Sequence, residues 1–292
     1  MPSYKYLPAR LAETLKGAGL PVRRPVHGAQ IGRHRSPHHG SSVEFAEYRS
    51  YSPGDPTSLI DWPVYARTDR YMIRQFYEET NMRGYVLLDI SGSLGFRGDG
   101  PMSKMDCASY LAAGMLYTLV SQRDFAGMIT FDAKMRDIFK PAGSAEGLRP
   151  LLLHLEGIAP EGEGDIEAAI HQATAVMKKK SLVVLISDLL QDADRILRGI
   201  RHLYHDGHNI VVLHVMDRAE RKLSLGDVAE LRDLETKSKL VIEVDEIRDA
   251  YERAVRHHLE KIRVGCNECL AVYRLVDTAD QIETVLGGLF RG

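Results

Sequence analysis

The sequence lacks the features that mark several classes of protein. It has only three cysteines in 292 residues, too few for the disulfide framework of small secreted domains. No run approaches the ~18 apolar residues that a membrane span requires, and the first residues lack the apolar core of a signal peptide. A formal net charge of −2 offers no basic surface to nucleic acid. These absences predict a soluble, cytoplasmic protein with no membrane span and no nucleic-acid partner.

Common catalytic motifs are missing as well. The chain has no Gly-x-x-x-x-Gly-Lys-Ser/Thr phosphate loop, no His-Glu-x-x-His zinc motif and no Gly-x-Ser-x-Gly nucleophile elbow. Cys266 and Cys269 form a lone Cys-x-x-Cys. Because no second pair accompanies them, we interpret them as ordinary thiols rather than as a redox pair or half of a zinc site.

Short apolar runs alternate with amphipathic helices over residues 81–292. The runs at 85–88, 125–131 and 181–187 are typical of strands buried on both faces. Between such runs lie segments with apolar residues on one helical face, the clearest at 103–122. The alternation predicts a doubly wound, mostly parallel α/β sheet of Rossmann type. We also predict an edge strand at 240–244.

Residues 1–80 are predicted to form a smaller N-terminal part. It comprises a short helix at about 4–18, a loop and a β-rich unit at 43–80. Within that unit, the turn Ser52–Pro56 separates two segments of alternating polarity. Its role stays open between a binding surface and a support for the larger domain.

Oxygen-bearing side chains follow two of the buried runs. Asp89, Ser91 and Ser93 end the first run, and Asp188 ends a later one. Ligands of open parallel sheets bind at the carboxyl ends of strands, and oxygen donors suit a hard cation. We therefore predict a site for Mg²⁺, or another divalent cation, formed by these four residues.

Two other interpretations of the same residues remain open. In a metal-free scaffold, Asp89 would simply accept hydrogen bonds from Ser91, Ser93 and loop amides. In a magnesium-dependent phosphatase-like hydrolase, Asp89 would be the nucleophile. Such hydrolases carry a second aspartate where this chain has Ser91, and serine cannot act as the carboxylic acid, so we favour a protein that is not an enzyme.

The motif Asp89-Ile-Ser-Gly-Ser93 resembles the first motif of the metal-ion-dependent adhesion site in von Willebrand factor A domains. Asp188, in Leu-Ile-Ser-Asp-Leu, resembles the late aspartate of that site. Upstream, the segments 42–55, 60–62 and 75–79 are similar to the signature of bacterial "domain of unknown function 58" proteins. The resemblance covers about residues 40–290 and implies a von Willebrand factor A-like fold.

The resemblance also implies a function. In von Willebrand factor A domains, the cation accepts an acidic side chain from a partner protein. Similar bacterial proteins are paired with MoxR-type AAA+ ATPases in chaperone-like assembly. This chain departs from the pattern at Gly164, where the family site has a threonine hydroxyl, so water, Glu163 or Asp165 would have to replace that ligand.

Overall fold

The computed structural model describes residues 4–19, 39–77, 81–98, 100–178, 180–222, 228–232 and 239–289. Their strands are β1 (His39–Ser50), β2 (Met72–Tyr77), β3 (Arg83–Asp89), β4 (Phe125–Phe131), β5 (Met135–Ala142), β6 (Leu182–Ser187), β7 (Asn209–Met216), β8 (Val228–Arg232), β9 (Lys239–Glu243) and β10 (Val272–Asp277). Their α-helices are α1 (Ala9–Leu15), α2 (Trp62–Thr68), α3 (Lys104–Ser121), α4 (Ala145–Glu156), α5 (Ile166–Val176), α6 (Ala193–His205), α7 (Arg218–Lys222), α8 (Val244–Glu268) and α9 (Ile282–Leu289).

The chain forms two compact units. Residues 25–82 make the small one, and residues 1–24 with 83–292 make the large one. The large unit is built on a six-stranded sheet in the order β10-β7-β6-β3-β4-β5. Only β5 runs antiparallel to its neighbour. The prediction of a doubly wound, mostly parallel α/β sheet is confirmed.

The central strands are buried on both faces because helices cover both sides of the sheet. Every residue of β6 and β7 is buried. On one face, Tyr85 and Leu87 of β3 pack in a cluster with residues of α5, α6 and α8. On the other face, an added Cβ at Gly84 would lie 2.5 Å from Leu119 of α3. Alternate residues of one strand thus serve two layers of helices.

The small unit pairs β1 with β2 in an antiparallel ribbon. Between the strands lies α2, which is capped by Asp61: the carboxylate of Asp61 accepts the backbone N–H of Val64 at 3.1 Å. The sequence predicts strands in this unit but not this helix, which is short and begins with Trp62 and Pro63. Residues 78–80, the end of the β-rich unit predicted at 43–80, lie outside the described residues.

Two segments take places that the sequence does not predict. The strand predicted at 240–244 is not an edge of the main sheet, because β9 pairs with β8 in a separate two-stranded antiparallel sheet. Antiparallel strands close in sequence pair through a short connection, whereas joining the parallel sheet requires a crossover. The first helix, grouped above with residues 1–80, lies in the large unit and contacts α3 and α9.

Among the helices of the described residues, none has the length and apolar content needed to cross a bilayer.

Leu15→Ala tests the packing of α1. Leu15 is 1% exposed, and its Cδ1 would lie 3.2 Å from a Cβ added at Gly114 of α3. We expect the truncation to lower the free energy of unfolding by about 2–5 kcal/mol, measured by urea denaturation. Leu153→Ala on α4, where the leucine is 48% exposed, serves as control and should cost under about 1 kcal/mol. Equal effects of the two variants would show that Leu15 of α1 does not pack against α3.

Candidate functional site

Asp89 and Asp188 lie at the same edge of the main sheet. β3 and β6 are adjacent and parallel, with Leu88 opposite Ile186. Asp89 is the last residue of β3, and Asp188 directly follows β6. Both carboxylates are buried, at 1% and 2% exposure. The strand order therefore brings together two acids that are 99 positions apart in the chain, 188 minus 89.

The loop after β3 is held by hydrogen bonds to Asp89. Oδ1 of Asp89 accepts the backbone N–H of Ser91 at 2.9 Å, and Oδ2 accepts the hydroxyl of Ser187 at 2.6 Å. The hydroxyls of Ser91 and Ser93 lie 3.2 Å apart and share a hydrogen bond. Ser91 is buried, while Ser93 is partly exposed. The oxygens of this loop therefore range from the buried carboxylate of Asp89 to the partly exposed hydroxyl of Ser93.

The environment of Asp89 disfavours its charged form. Burial, followed by the negative charge of Asp188, raises the pKa of Asp89 to about 7. The hydrogen bonds from Ser187 and Ser91 oppose this rise. A cation beside the two carboxylates would lower the pKa of Asp89 again.

A buried lysine neutralises Asp188. The ammonium of Lys104, at the start of α3, donates to Oδ2 of Asp188 at 2.7 Å and to Oε1 of Glu220 at 2.6 Å. The Lys104 side chain is completely buried. Burial alone would lower the pKa of Lys104, but the charges of the two carboxylates outweigh it and raise that pKa. The ammonium is therefore a permanent positive charge inside the site.

Sequence reasoning missed Lys104 and Glu220. The signal for Lys104 is its spacing: it precedes Ala108 by four residues and Leu111 by seven, which places it on the apolar face of α3. A lysine on a buried face requires a carboxylate partner. No comparable pattern marks Glu220, because α7 is only five residues long.

The turn that contains Gly164 contacts the loop after β3. The backbone N–H of Gly92 donates to the carbonyl of Gly162 at 2.8 Å. A Cβ added at Gly164 would lie 3.3 Å from the hydroxyl oxygen of Ser91, but only 2.8 Å from the amide nitrogen of Gln191. Gln191 therefore occupies the space that a side chain at Gly164 would need.

Asp165, one of the proposed substitutes for the missing hydroxyl, is engaged elsewhere. Its Oδ1 accepts the backbone N–H of Ala168 at 3.1 Å, so it caps α5. Its Oδ2 accepts from the guanidinium of Arg195 at 2.8 Å. The side chain is committed to these two partners and does not replace the hydroxyl.

A neutral histidine lies near Asp188. Nδ1 of His214 on β7 lies 2.9 Å from the hydroxyl of Tyr273. Burial lowers the pKa of His214 to about 4, so at neutral pH this ring adds no positive charge. Lys104 is therefore the buried cation that offsets Asp188.

Cys266 and Cys269 are both buried free thiols. Burial raises the pKa of Cys266 to about 12, which removes the thiolate that redox and zinc chemistry need.

The donors of this edge fit a hard divalent cation in charge and chemistry. Asp89, Asp188 and Glu220 bring three carboxylates against the single ammonium of Lys104, so the ionised cluster retains negative charge. Within the described residues, no three His, Cys, Asp or Glu side chains converge as a protein-only metal cage would require. Mg²⁺ does not need such a cage, because it keeps several waters and binds one or two carboxylates.

One family model matches most of this chain. The family described as "Protein of unknown function DUF58" matches residues 47–261. A relative from Mycobacterium tuberculosis, described as an uncharacterised protein, is 28% identical over 258 residues, covering 85% of this chain and 79% of its own length.

Solved structures with a similar arrangement include two proteins. One is the conserved hypothetical protein BatB from Bacteroides thetaiotaomicron, with a TM-score of 0.48 and 17% identity, over 72% of this chain and 98% of that one. The other is the SpRpn10 VWA domain, with a TM-score of 0.43 and 11% identity, over 72% and 94%.

Asp89→Asn should remove a pH dependence from the stability of the cation-free protein. Because the folded state raises the pKa of Asp89 from 3.8 to about 7, it binds this proton more tightly than the unfolded state. The resulting stability is complete below the unfolded pKa and is lost as pH rises through the folded value. In chelator, the free energy of unfolding of wild type should therefore fall relative to Asp89→Asn between about pH 4 and 8.

Urea denaturation across this pH range measures the difference. Asp194→Asn removes a carboxylate that is 59% exposed and should keep the wild-type slope. Parallel curves for wild type and Asp89→Asn would contradict a raised pKa for Asp89.

Proposed function

Since the chain belongs to the DUF58 family, we propose that it is a non-enzymatic protein-interaction module. In this proposal, the edge formed by Asp89, Ser91, Ser93 and Asp188 binds a divalent cation, with Mg²⁺ as the first candidate. A cation held there supplies an open coordination position for an acidic side chain of the partner protein. The observation that carries the proposal is that two buried carboxylates, those of Asp89 and Asp188, lie at one edge of the sheet beside the hydroxyls of Ser91 and Ser93.

The surroundings of the edge favour a protein partner. Ser93 is partly exposed and Gly95 is exposed, so the loop can be approached from solvent. Beside Asp188, Leu190 is 49% exposed, and its backbone N–H lies 3.4 Å from Oδ1 of Asp188. An exposed leucine next to a polar centre suits a protein surface, which combines apolar and charged contacts.

Calorimetric titration with Mg²⁺ or Mn²⁺ tests the cation. Wild type should bind one equivalent at millimolar ion or below, and Asp89→Ala should abolish the heat because it removes a central carboxylate. Asp194→Asn is the matched control, since it removes a surface carboxylate and should leave the affinity unchanged. Absence of binding heat in wild type would overturn the cation-dependent proposal.

We further propose a cytoplasmic MoxR-type AAA+ ATPase as the partner, as the family resemblance implies. The purified pair should associate in the presence of Mg²⁺, measured by analytical ultracentrifugation. Chelator and Asp89→Ala should each dissociate the complex, because both remove the acceptor for the partner's carboxylate. Failure of the pair to associate, or association that survives both treatments, would count against this docking mode.

A metal-free scaffold is the second candidate, and Lys104 is the observation that favours it. Its ammonium already pairs with Asp188, so this carboxylate has a counter-charge without any ion. In that case the protein would bind its partner equally well with Mg²⁺ or with chelator. Turnover of a phosphate ester that disappears in Asp89→Ala would instead identify a hydrolase and overturn the non-enzymatic proposal.

A further inference from the structure

Among the described residues of the site, Lys104 has the same charge sign as the cation. Its ammonium contacts Asp188 Oδ2 at 2.7 Å. Asp188 is also one of the four side chains assigned to the cation. The ammonium and a divalent ion would therefore bind the same carboxylate.

The ammonium of Lys104 has other contacts that would remain if Asp188 bound a cation. Oε1 of Glu220 lies 2.6 Å from the ammonium, and Glu220 is itself fixed, because its Oε2 accepts the backbone N–H of Asp217 at 3.0 Å. The ring of Phe96 also lies under the ammonium, with its centroid 5.6 Å from Nζ. An ammonium that lost Asp188 would thus keep a carboxylate and an aromatic face, so it would not become an unpaired buried charge.

We propose that Lys104 competes with the divalent cation for the carboxylate of Asp188 and thereby sets the cation affinity of the site. The inference rests on the proposed function, because it concerns the same edge of the sheet. Glu220 is the positioning residue that draws the ammonium away from Asp188. The ion pair therefore weakens cation binding at the site. The affinity then depends on Lys104, which lies outside the motif.

Two substitutions should shift the affinity in opposite directions. Lys104→Met keeps a long flexible side chain without charge, frees Asp188 and should tighten Mn²⁺ binding about tenfold, the size of effect that second-layer partners of metal ligands produce. Glu220→Gln leaves the ammonium with Asp188 as its only carboxylate among these contacts and should weaken binding by a similar factor. Both are measured by calorimetric titration, with circular dichroism to check the fold.

Two controls separate competition at Asp188 from a general change in the electrostatic potential of the protein. Each removes a charge of the same sign as one of the test substitutions. Arg218→Met on α7 and Glu260→Gln on α8 each remove one surface charge, from side chains that are 66% and 58% exposed. Exposed charges are screened by salt, so these variants should stay within about twofold of wild type.

The outcomes distinguish this inference from the proposed function. If wild type binds the cation and Lys104→Met binds it equally or more weakly, competition is overturned while the cation site stands. If only Lys104→Met binds, the competition is supported and the cation-dependent function of the natural chain is overturned. If neither wild type nor Lys104→Met binds the cation, both the competition and the cation site are overturned. Should Lys104→Met fail to fold, Glu220→Gln decides alone, since an unchanged affinity would overturn the proposal.

Discussion

The large unit depends on neutralising acids that its own sheet buries. Parallel strands covered on both faces end in a layer that water reaches poorly, and here β3 and β6 end in Asp89 and Asp188. A buried carboxylate needs hydrogen bonds and a counter-charge, or it becomes protonated. Asp188 obtains its counter-charge from Lys104. Asp89 is held by hydrogen bonds from Ser187 and Ser91, and burial, followed by the negative charge of Asp188, raises its pKa to about 7 despite them.

Asp188 pairs with an ammonium, whereas Asp89 is held by hydrogen bonds. This difference between two neighbouring acids connects the fold with the proposed function. A site whose carboxylates were all paired with lysine or arginine would have no negative charge left to attract a cation. A site with none paired would be costly to fold in its absence. One ammonium among three carboxylates lies between these limits: the edge can be assembled without an ion and still retains negative charge. The same arrangement ties the candidate site to α7 through Glu220, a connection that the motif residues do not contain.

Part of this site was predictable from local sequence. The apolar run ending in Asp89, Ser91 and Ser93, and the second ending in Asp188, indicate strand ends, and parallel strand ends share an edge. This reasoning could not find Glu220, because the ion pair with Lys104 joins side chains 116 positions apart. Nor could it foresee Gln191 beside Gly164, since that contact depends on how two loops pack.

The sequence by itself determined the class of fold, because period and burial of apolar residues are local properties of the chain. It also determined which oxygens end the central strands. The tertiary structure alone decided that β3 lies next to β6, that β9 pairs with β8 outside the main sheet, and that α1 packs on α3 and α9. It alone decided that a lysine on the apolar face of α3 reaches Asp188. These are pairings between distant segments, and their energies depend on partners that no local window of sequence contains.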